Sequence, residues 1–502
     1  MTDRQRTAVV VGGGLAGITA ALRLADAGLS VTLVEGRPRL GGLAFSFRRG
    51  SAAGDLWVDN GQHVFLRCCT AYRGLLQRLD ATGLVHLQRR LDVPVLALRE
   101  RGESAADSPL RLGRLRRSGL PVPLHLSGSL SRYPHLSVGE RAMVARAALA
   151  LRTLDLDDPA LDERSFGDWL REQRQSPGAV AALWDLVGVA TLNARADDVS
   201  LALAAMVFKT GLLSEPGAAD IGWSRVPLGA IHHDAAGAAL DRAGVRVLLR
   251  TRVEELKSSE ATPYSSPTHE QRYDRRSEGR SHSLLLTGER LPGGSERLEA
   301  DTVVLAVPQD TARELLPPGA LEHPERLDAL GTAPILNVHV LYDRKVLRRP
   351  FFAALGSSVQ WVFDRTEHSG LAGGGQYLAL SQSAAQDEID LPVGELRRRY
   401  LPELERLLPA ARTARVTEFF VTRERKATFA PVPGSAPLRA RPRTRIPDLY
   451  LAGAWTATGW PATMEGAVRS GHAAADQALS GGSREAPRGA AEGARWTEGS
   501  RP

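Results

Sequence analysis

The first part of the chain alternates apolar blocks with short polar stretches, a pattern that predicts a strand, a helix and a second strand. Ala8 to Val11 are continuously apolar, as in a strand buried on both faces. From Leu15 to Ala27, apolar residues recur at helical spacing, and Gly28 provides a stop. A second apolar run, Val31 to Val34, ends at Glu35. This order predicts one strand-helix-strand unit with parallel strands.

The middle of the chain predicts a larger mixed region. Helical spacing dominates residues 137–174 and 178–213. Strand character returns at Val245–Leu249, Thr302–Val307 and Ile335–Tyr342. The 502 residues exceed what one compact core usually holds, so we expect two connected domains.

Two polar segments are predicted to be disordered, because they contain too few aliphatic residues to offset the entropy of ordering them. The first, residues 258–283, is rich in serine, proline and charge and lies between two predicted strands. Closing a loop of that size costs only about 3 kcal/mol, which a large fold tolerates. The second segment is the tail, residues 481–502.

Composition excludes several functional classes. The net charge of +7 is a mild excess, and no basic-aromatic pattern indicates nucleic-acid binding. The 12 histidines and two cysteines lack metal-site spacings, so we expect no metal. The adjacent Cys68 and Cys69 cannot build a disulfide framework, and no apolar stretch reaches the roughly 18 residues of a membrane span. We expect a cytoplasmic protein, either soluble or peripheral at the inner face of the cell membrane.

A glycine-rich turn lies between the first strand and the helix. Gly12, Gly14 and Gly17 match G-x-G-x-x-G in the strand-helix context that confirms the pattern. Gly12 permits the tight turn, Gly14 lets a pyrophosphate approach the backbone, and Gly17 lets the helix pack on the strand. Leu15 and Ala16 open the helix, whose free N–H groups would face the phosphates. We expect these five residues to bind a dinucleotide.

Glu35 ends the second strand, 18 positions after Gly17. A carboxylate at that place can accept hydrogen bonds from both hydroxyls of an adenosine ribose. It would repel a 2′-phosphate, which argues against NADP.

The residues that follow resemble a motif of the flavin amine oxidase and phytoene desaturase superfamily. The residues that match its E-x-R-x-x-x-G-G pattern are Glu35, Gly36, Arg37, Gly41 and Gly42. Leu43 stands where the family often has arginine. The resemblance implies that the cofactor is FAD and that these residues hold its pyrophosphate from a second side.

A second resemblance lies near the C-terminus. Gly453 and Ala454 follow an apolar strand, as in the family's closing motif, and Ala454 replaces the usual aspartate. Met464, Gly466 and Ala467 open the helix that this motif aims at the flavin ring. The resemblance implies that the positive end of this helix stabilises the anionic reduced flavin.

Two further matches complete the expected cofactor site. Val253 lies in a strand whose counterpart in the family pairs with adenine through its backbone. Gly61, Gln62 and His63 match the turn that passes over the flavin, and the preceding Asp59 is expected to be structural.

The resemblance implies an α/β fold, with a Rossmann-like FAD-binding domain of the glutathione-reductase and amine-oxidase type and an inserted α+β substrate domain. The FAD-binding domain would be discontinuous and formed by residues 1–90, 225–310 and 430–480. The substrate domain would comprise residues 91–224 and 311–429.

The turn at residues 61–63 and the string at residues 459–461 look like the squalene-associated branch of the superfamily, the hydroxysqualene dehydroxylases. This resemblance implies an enzyme that reductively removes the hydroxyl of hydroxysqualene, giving squalene for hopanoid synthesis. His63 is the candidate donor to the leaving hydroxyl, and it can equally be a histidine that only caps the turn or touches the flavin. A carotenoid-type desaturase, a flavin amine oxidase and a flavoprotein partner subunit are the competing functions.

Two features fit an isoprenoid lipid as the partner. The apolar helices of residues 142–213 can line a tunnel, although an ordinary core has the same pattern. Leucines are interspersed with Arg111, Arg114, Arg116 and Arg117, which at an anionic bilayer would contribute about 1 kcal/mol each. A solvated charge run explains the same residues equally well. The sequence does not name the electron donor, whether a reduced cofactor or a redox protein.

Overall fold

The computed structural model describes residues 4–51, 54–98, 110–258 and 282–480. The disordered insertion predicted at 258–283 lies outside the described residues except at its ends, which belong to the strands Thr251–Ser258 and His282–Gly288. The predicted disordered tail, 481–502, lies wholly outside them.

The two strands of the predicted strand-helix-strand unit belong to a five-stranded parallel sheet. Its strands, in spatial order, are Arg246–Leu249, Ser30–Glu35, Thr7–Val11, Thr302–Leu305 and Leu449–Leu451. The two strands predicted near the N-terminus lie side by side and pair in parallel. Because the carboxyl ends of parallel strands meet at one edge, Gly12, Glu35 and Gly453 lie at the same edge of this sheet.

The first and last helices of the described chain pack together against this sheet. The predicted first helix spans Leu15–Asp26, and the last spans Met464–Ser480. Gly471 allows their close approach, because a Cβ atom at that position would lie 2.3 Å from the carbonyl oxygen of Ala16. The two ends of the sequence therefore form one layer of the fold.

The region predicted to be mainly helical is helical in the structure. Its helices and helical turns are Val138–Thr153, Pro159–Glu163, Phe166–Glu172, Pro177–Ala179, Val180–Trp184, Asp185–Leu192, Leu201–Phe208 and Lys209–Leu213. Ser137 begins the first of them in a capping box, exchanging side chain-to-backbone hydrogen bonds with Glu140. Phe166, Trp184 and Phe208 pack against one another, with ring centroids 5.1 to 5.7 Å apart.

The largest sheet has seven strands. In spatial order they are Val416–Thr428, Ala333–Tyr342, Gln376–Gln382, Trp361–Asp364, Phe351–Leu355, Asp92–Leu98 and Leu110–Arg116. Neighbouring strands are antiparallel except Phe351–Leu355 and Asp92–Leu98, which are parallel. The helix Val393–Leu407 buries its apolar side chains in a core that it shares with this sheet.

Smaller sheets and short helices complete the described fold. The smaller sheets are Ser46–Ser51 with Gly54–Asp59, Thr251–Ser258 with His282–Gly288 and Ser295–Ala300, and Val64–Leu66 with Ile221–Ser224 and Val85–Leu87. The remaining α-helices are Thr70–Arg78, Ser127–Leu130, Ala236–Arg242, Gln309–Leu315, Glu325–Ala329 and Thr366–Ser369, and short helical turns lie at Thr82–Leu84, Leu124–Leu126, Ala230–Ala235, Pro292–Gly294, Pro409–Thr413 and Ala436–Leu438.

The architecture is α/β, with a parallel nucleotide-binding sheet and an α+β region built on the seven-stranded sheet. All strands of the parallel sheet come from the segments expected to form the FAD-binding domain, and all strands of the large sheet from the other segments. Ile221–Ser224 crosses this boundary, because it pairs with Val64–Leu66. The division into two domains stays a proposal.

Candidate active site

The first glycine motif forms a turn that accepts no side chains. Gly12 has φ +107°, and a Cβ atom there would lie 2.3 Å from the carbonyl oxygen of Ala306. A Cβ atom on Gly17 would lie 1.9 Å from the carbonyl oxygen of Gly12. Gly14 precedes the helix and has no side chain to cap it, so the N–H groups of Leu15 and its successors face outward from the turn.

The second glycine pair closes the same cradle from the opposite side. The N–H of Gly41 donates to the carbonyl of Gly13 at 2.8 Å. Gly42 has φ +58°, and a Cβ atom there would lie 2.9 Å from the Cα of Gly14. Two glycine motifs that are separate in the sequence thus leave a narrow, backbone-lined space at a helix N-terminus. This arrangement is consistent with the pyrophosphate site expected from the sequence, which stays a prediction.

Glu35 is held rigidly beside this cradle. One carboxylate oxygen accepts the N–H of Gly13 and the other accepts the N–H of Arg37, both at 2.7 Å. Each oxygen keeps a free lone pair, so the carboxylate can still accept bonds from ribose hydroxyls. The arrangement is consistent with the ribose-binding role expected for Glu35, which stays a prediction.

Replacing Glu35 with alanine is expected to weaken FAD binding by about 1.5–3 kcal/mol, the usual worth of hydrogen bonds to a charged group. Fluorescence titration of the apoprotein with FAD measures this change. Alanine at Glu163, which is exposed, is the matched control and should leave the affinity unchanged. Equal FAD affinity in the two variants would show that Glu35 does not reach the ribose.

The two arginines after Glu35 differ in position. Arg37 is exposed, whereas Arg39 donates to the carbonyl of Gly42 at 3.0 Å. The guanidinium of Arg39 also lies 3.2 Å from the centre of the Phe45 ring. Burial lowers the pKa of Arg39 to about 10, so the residue stays charged at neutral pH. The sequence motif singles out Arg37 and misses Arg39, although both lie in the same segment.

The strand of Val253 runs beside the same motif. The N–H of Arg250 donates to the carbonyl of Arg37 at 3.0 Å. A Cβ atom on Gly36 would lie 3.2 Å from the side chain of Arg252. The strand of Val253 therefore lies beside the segment of Glu35, and the adenine contact expected for Val253 stays a prediction. The side chain of Leu43, which follows the second glycine pair, is 42% exposed.

The closing motif forms a second tight glycine turn. Gly453 has φ +143°, and its N–H donates to Ser470 Oγ at 2.8 Å. The helix begins at Met464 as expected, and a Cβ atom on Gly466 would lie 2.5 Å from the carbonyl oxygen of Pro461. Ala467 lies in the first turn of this helix, at the positive end of the helix dipole.

One buried arginine fixes the loop between that glycine turn and the helix. Arg439 donates to the carbonyls of Ala454, Thr456 and Trp460. Burial lowers the pKa of Arg439 to about 10, and its guanidinium lies 4.5 Å from the centre of the Phe429 ring. Arg439 could not be found from sequence, because a single arginine outside any motif carries no signal.

The turn at residues 61–63 is anchored at its base by a buried ion pair. Asp59 accepts from Arg365 at 2.6 Å, from Ser46 Oγ at 2.6 Å and from the N–H of Leu228 at 3.0 Å. All these bonds hold the carboxylate in place, consistent with the structural role expected for Asp59. The sequence does not reveal Arg365, because it follows a strand of a different sheet and no local pattern points to it.

The next residues of the turn are also fixed. The carbonyl of Asn60 accepts from Asn337 Nδ2 at 3.1 Å and from Thr422 Oγ1 at 3.2 Å. His63 Nδ1 lies 3.0 Å from the carbonyl oxygen of Gly61. Burial lowers the pKa of His63, and the bond to Gly61 partly opposes that effect.

A small cavity of about 20 Å³ lies against this turn. Its lining includes Gln62 and His63 on one side and the rings of Trp223, Phe351 and Phe363 on the other. The Trp223 and Phe351 rings meet edge to face at 5.6 Å, and those of Phe351 and Phe363 lie 5.8 Å apart. The space holds about one water, so a larger ligand must move these rings apart.

The arginines expected to face a membrane divide into two groups. Arg114 forms an ion pair with Asp92, and Arg117 forms one with Asp220. Arg111 donates to the carbonyl of Pro134 at 3.0 Å, and Arg116 is exposed on the edge strand. The surface is therefore less basic than its sequence suggests, because two of the four charges face carboxylates.

Neither a membrane span nor a metal site occurs within residues 4–51, 54–98, 110–258 and 282–480. No helix in these ranges is both long and apolar enough to cross a bilayer. No cluster of three or more histidine, cysteine or carboxylate side chains in the same ranges could hold a metal ion.

Comparison with known proteins gives the family of this chain. A profile of the flavin containing amine oxidoreductase family matches residues 15–479. The hydroxysqualene dehydroxylase of Rhodopseudomonas palustris is 30% identical over 483 residues, which cover 95% of this chain and 99% of that protein. The hydroxysqualene dehydroxylase of Sinorhizobium fredii is 26% identical, with 94% of this chain and 98% of that protein covered.

A solved structure supports the fold. A triple mutant of putrescine oxidase superposes with a TM-score of 0.66 at 20% identity, covering 95% of this chain and 99% of that chain. Since the family profile spans nearly all of the described chain, FAD is the cofactor of this protein, and the role of the glycine cradle in binding it stays a prediction. The chain belongs to the flavin-containing amine oxidoreductase family, and it is an FAD-dependent oxidoreductase.

Proposed function

We propose that this oxidoreductase reductively removes the hydroxyl of hydroxysqualene, releasing squalene and water. Relatives of that name align with nearly the whole chain and over nearly their own full length. The observation that carries the proposal is the cavity beside the turn at residues 61–63, where polar groups face three aromatic rings. Such a site suits an alcohol whose departure leaves a delocalised cation.

When bound in its reduced form, FAD supplies the hydride that replaces the hydroxyl. The C–O bond breaks, its electron pair leaves with the oxygen, and one proton converts the departing hydroxide into water. The allylic carbon then gains the hydride, so the substrate is reduced by two electrons. An external donor must restore those electrons after each turnover.

His63 is the proposed source of the proton. Its Nδ1 faces the carbonyl of Gly61, and a carbonyl can only accept, so Nδ1 carries a hydrogen. The neutral ring then presents a bare Nε2, which can donate to a leaving hydroxyl only when the ring is protonated. Because burial lowers the pKa of His63, the proton of the imidazolium is weakly held and readily given up.

The aromatic rings are proposed to protect the cation. The faces of Trp223, Phe351 and Phe363 carry negative charge density, which attracts a delocalised positive charge. The two carboxylates in the same lining, Asp59 and Asp364, already accept hydrogen bonds from Arg365 and Gln376. The same rings leave room for about one water, so a substrate that moves them apart displaces that water, which would otherwise recapture the cation as the alcohol.

The direction of electron flow tests the proposed reaction. Anaerobic addition of hydroxysqualene to photoreduced enzyme should restore the absorbance of oxidised flavin and yield squalene. A desaturase or an amine oxidase would transfer electrons in the opposite direction, from substrate to flavin. Reduction of the oxidised enzyme by squalene or phytoene, without reoxidation by hydroxysqualene, would overturn the proposal.

Contact with a membrane surface is part of the same proposal, because the substrate is a lipid. Leu112 is 48% exposed on the edge strand that carries Arg116. An exposed leucine beside a cation suits the boundary between headgroups and acyl chains, where it would give reversible attachment.

A further inference from the structure

Gln62 carries a buried amide nitrogen with a hydrogen-bond donor to spare. Its Nε2 is inaccessible to solvent and has no hydrogen-bond partner among the described residues. The side chain lines the cavity, where its opposite walls are aromatic. A buried donor left without an acceptor lowers stability, so such an atom points to a ligand that supplies one.

The backbone on both sides of Gln62 is anchored by its neighbours. Asp59 is bound by Arg365, and the carbonyl of Asn60 is bound from two strands of the large sheet. His63 is tied to Gly61 on the other side. The turn therefore fixes the backbone of Gln62 at the wall of the cavity, and rotation about the side-chain torsions brings the amide nitrogen to a ligand there.

We propose that Gln62 is a specificity-determining residue that donates a hydrogen bond to the hydroxyl oxygen of the substrate. This inference rests on the proposed function. An alcohol oxygen offers lone pairs to the amide, whereas a hydrocarbon product offers none. Gln62 thus favours binding of the alcohol and release of the alkene, because the product leaves the amide unpaired again.

The amide and the imidazole then have separate tasks. Gln62 donates at every pH, since an amide does not titrate, and it holds the oxygen in place. His63 delivers a proton only when it is charged. Recognition of the alcohol is expected to be independent of pH, while the chemical step is not.

The test compares binding of hydroxysqualene and squalene to the FAD-loaded protein, measured from the change in flavin absorbance. Wild-type protein should bind the alcohol more tightly. Gln62→Met, which keeps the length of the side chain, should weaken alcohol binding about 5- to 100-fold and leave squalene binding equal or tighter. Gln62→Glu, which replaces the donor by an acceptor, should lose the preference in the same way. Gln77→Leu, at an exposed glutamine, is the control and should behave as wild type.

Any result that differs from these expectations contradicts the role proposed for Gln62. An alcohol preference that survives in both Gln62 variants would overturn the role of Gln62 and leave the proposed reaction standing. If both Gln62 variants keep the alcohol preference but bind FAD more weakly than wild type, the amide contacts the flavin and not the substrate. Absence of any preference in wild type would also overturn the inference. Failure of the reaction itself shows separately, as reduced wild-type enzyme that hydroxysqualene does not reoxidise.

Discussion

Replacing His63 with alanine is expected to slow flavin reoxidation by hydroxysqualene about 10²–10⁴-fold, the usual worth of a positioned proton donor, while FAD stays bound. The glycine cradle and the closing helix do not depend on the imidazole, so the flavin absorbance of the purified variant should match wild type. Stopped-flow measurement under anaerobic conditions gives the rate. His323→Ala, at an exposed histidine, is the matched control and should react at the wild-type rate.

The pH dependence of this rate tests whether the protonated form of His63 is the active form. Since burial lowers the pKa of His63, the ring is mostly neutral at pH 7, and its Nε2 then has no hydrogen to donate. The rate should therefore rise as the pH falls from 7 toward the lowered pKa, by up to about tenfold per unit. His63→Ala should lose that dependence. A variant that keeps full speed would remove His63 from the mechanism without affecting the reaction class.

Arg365→Ala is expected to lower the free energy of unfolding by about 3–5 kcal/mol, because it leaves the buried Asp59 carboxylate without its counter-charge. The turn that carries Gln62 and His63 should loosen as well, so the variant should also lose activity. Urea unfolding followed by tryptophan fluorescence measures the stability.

Two further variants test whether the instability of Arg365→Ala comes from the unpaired buried charge of Asp59. Arg425→Ala breaks an exposed ion pair with Asp390 and should cost no more than about 1 kcal/mol. The double variant Arg365→Met with Asp59→Asn removes both charges and should recover much of the lost stability. Equal losses in the Arg365 and Arg425 variants would show that the buried pair contributes nothing special.

The cofactor cradle could be predicted because its information is local. Gly12, Gly14 and Gly17 lie within six residues, and the strand and helix around them follow from apolar spacing over short windows. The predicted strands and the first helix agree with the observed bounds within two residues. Backbone approach at a glycine turn depends on few neighbours, so a short motif is enough to specify it.

The substrate side of the site could not be predicted in this way. Arg365 meets Asp59 across 306 positions of sequence, and no pattern in either segment encodes the pairing. Trp223, Phe351 and Phe363 lie on three different strands, where each one has the sequence context of an ordinary core residue. The register of two paired strands places Phe351 opposite Phe363, and the packing of a second sheet brings Trp223 against Phe351.

The position of the strand Leu449–Leu451 at the edge of the parallel sheet has a consequence for biosynthesis. The first strand of that sheet leaves the ribosome long before its partner Thr302–Leu305, and the helix that packs on Leu15–Asp26 emerges last. At about 5–20 residues per second, roughly 20–90 seconds separate the two ends of the nucleotide site. The edge of the sheet that carries Gly12, Glu35 and Gly453 is therefore complete only after nearly all of the chain has been made, and we expect FAD to bind after that point.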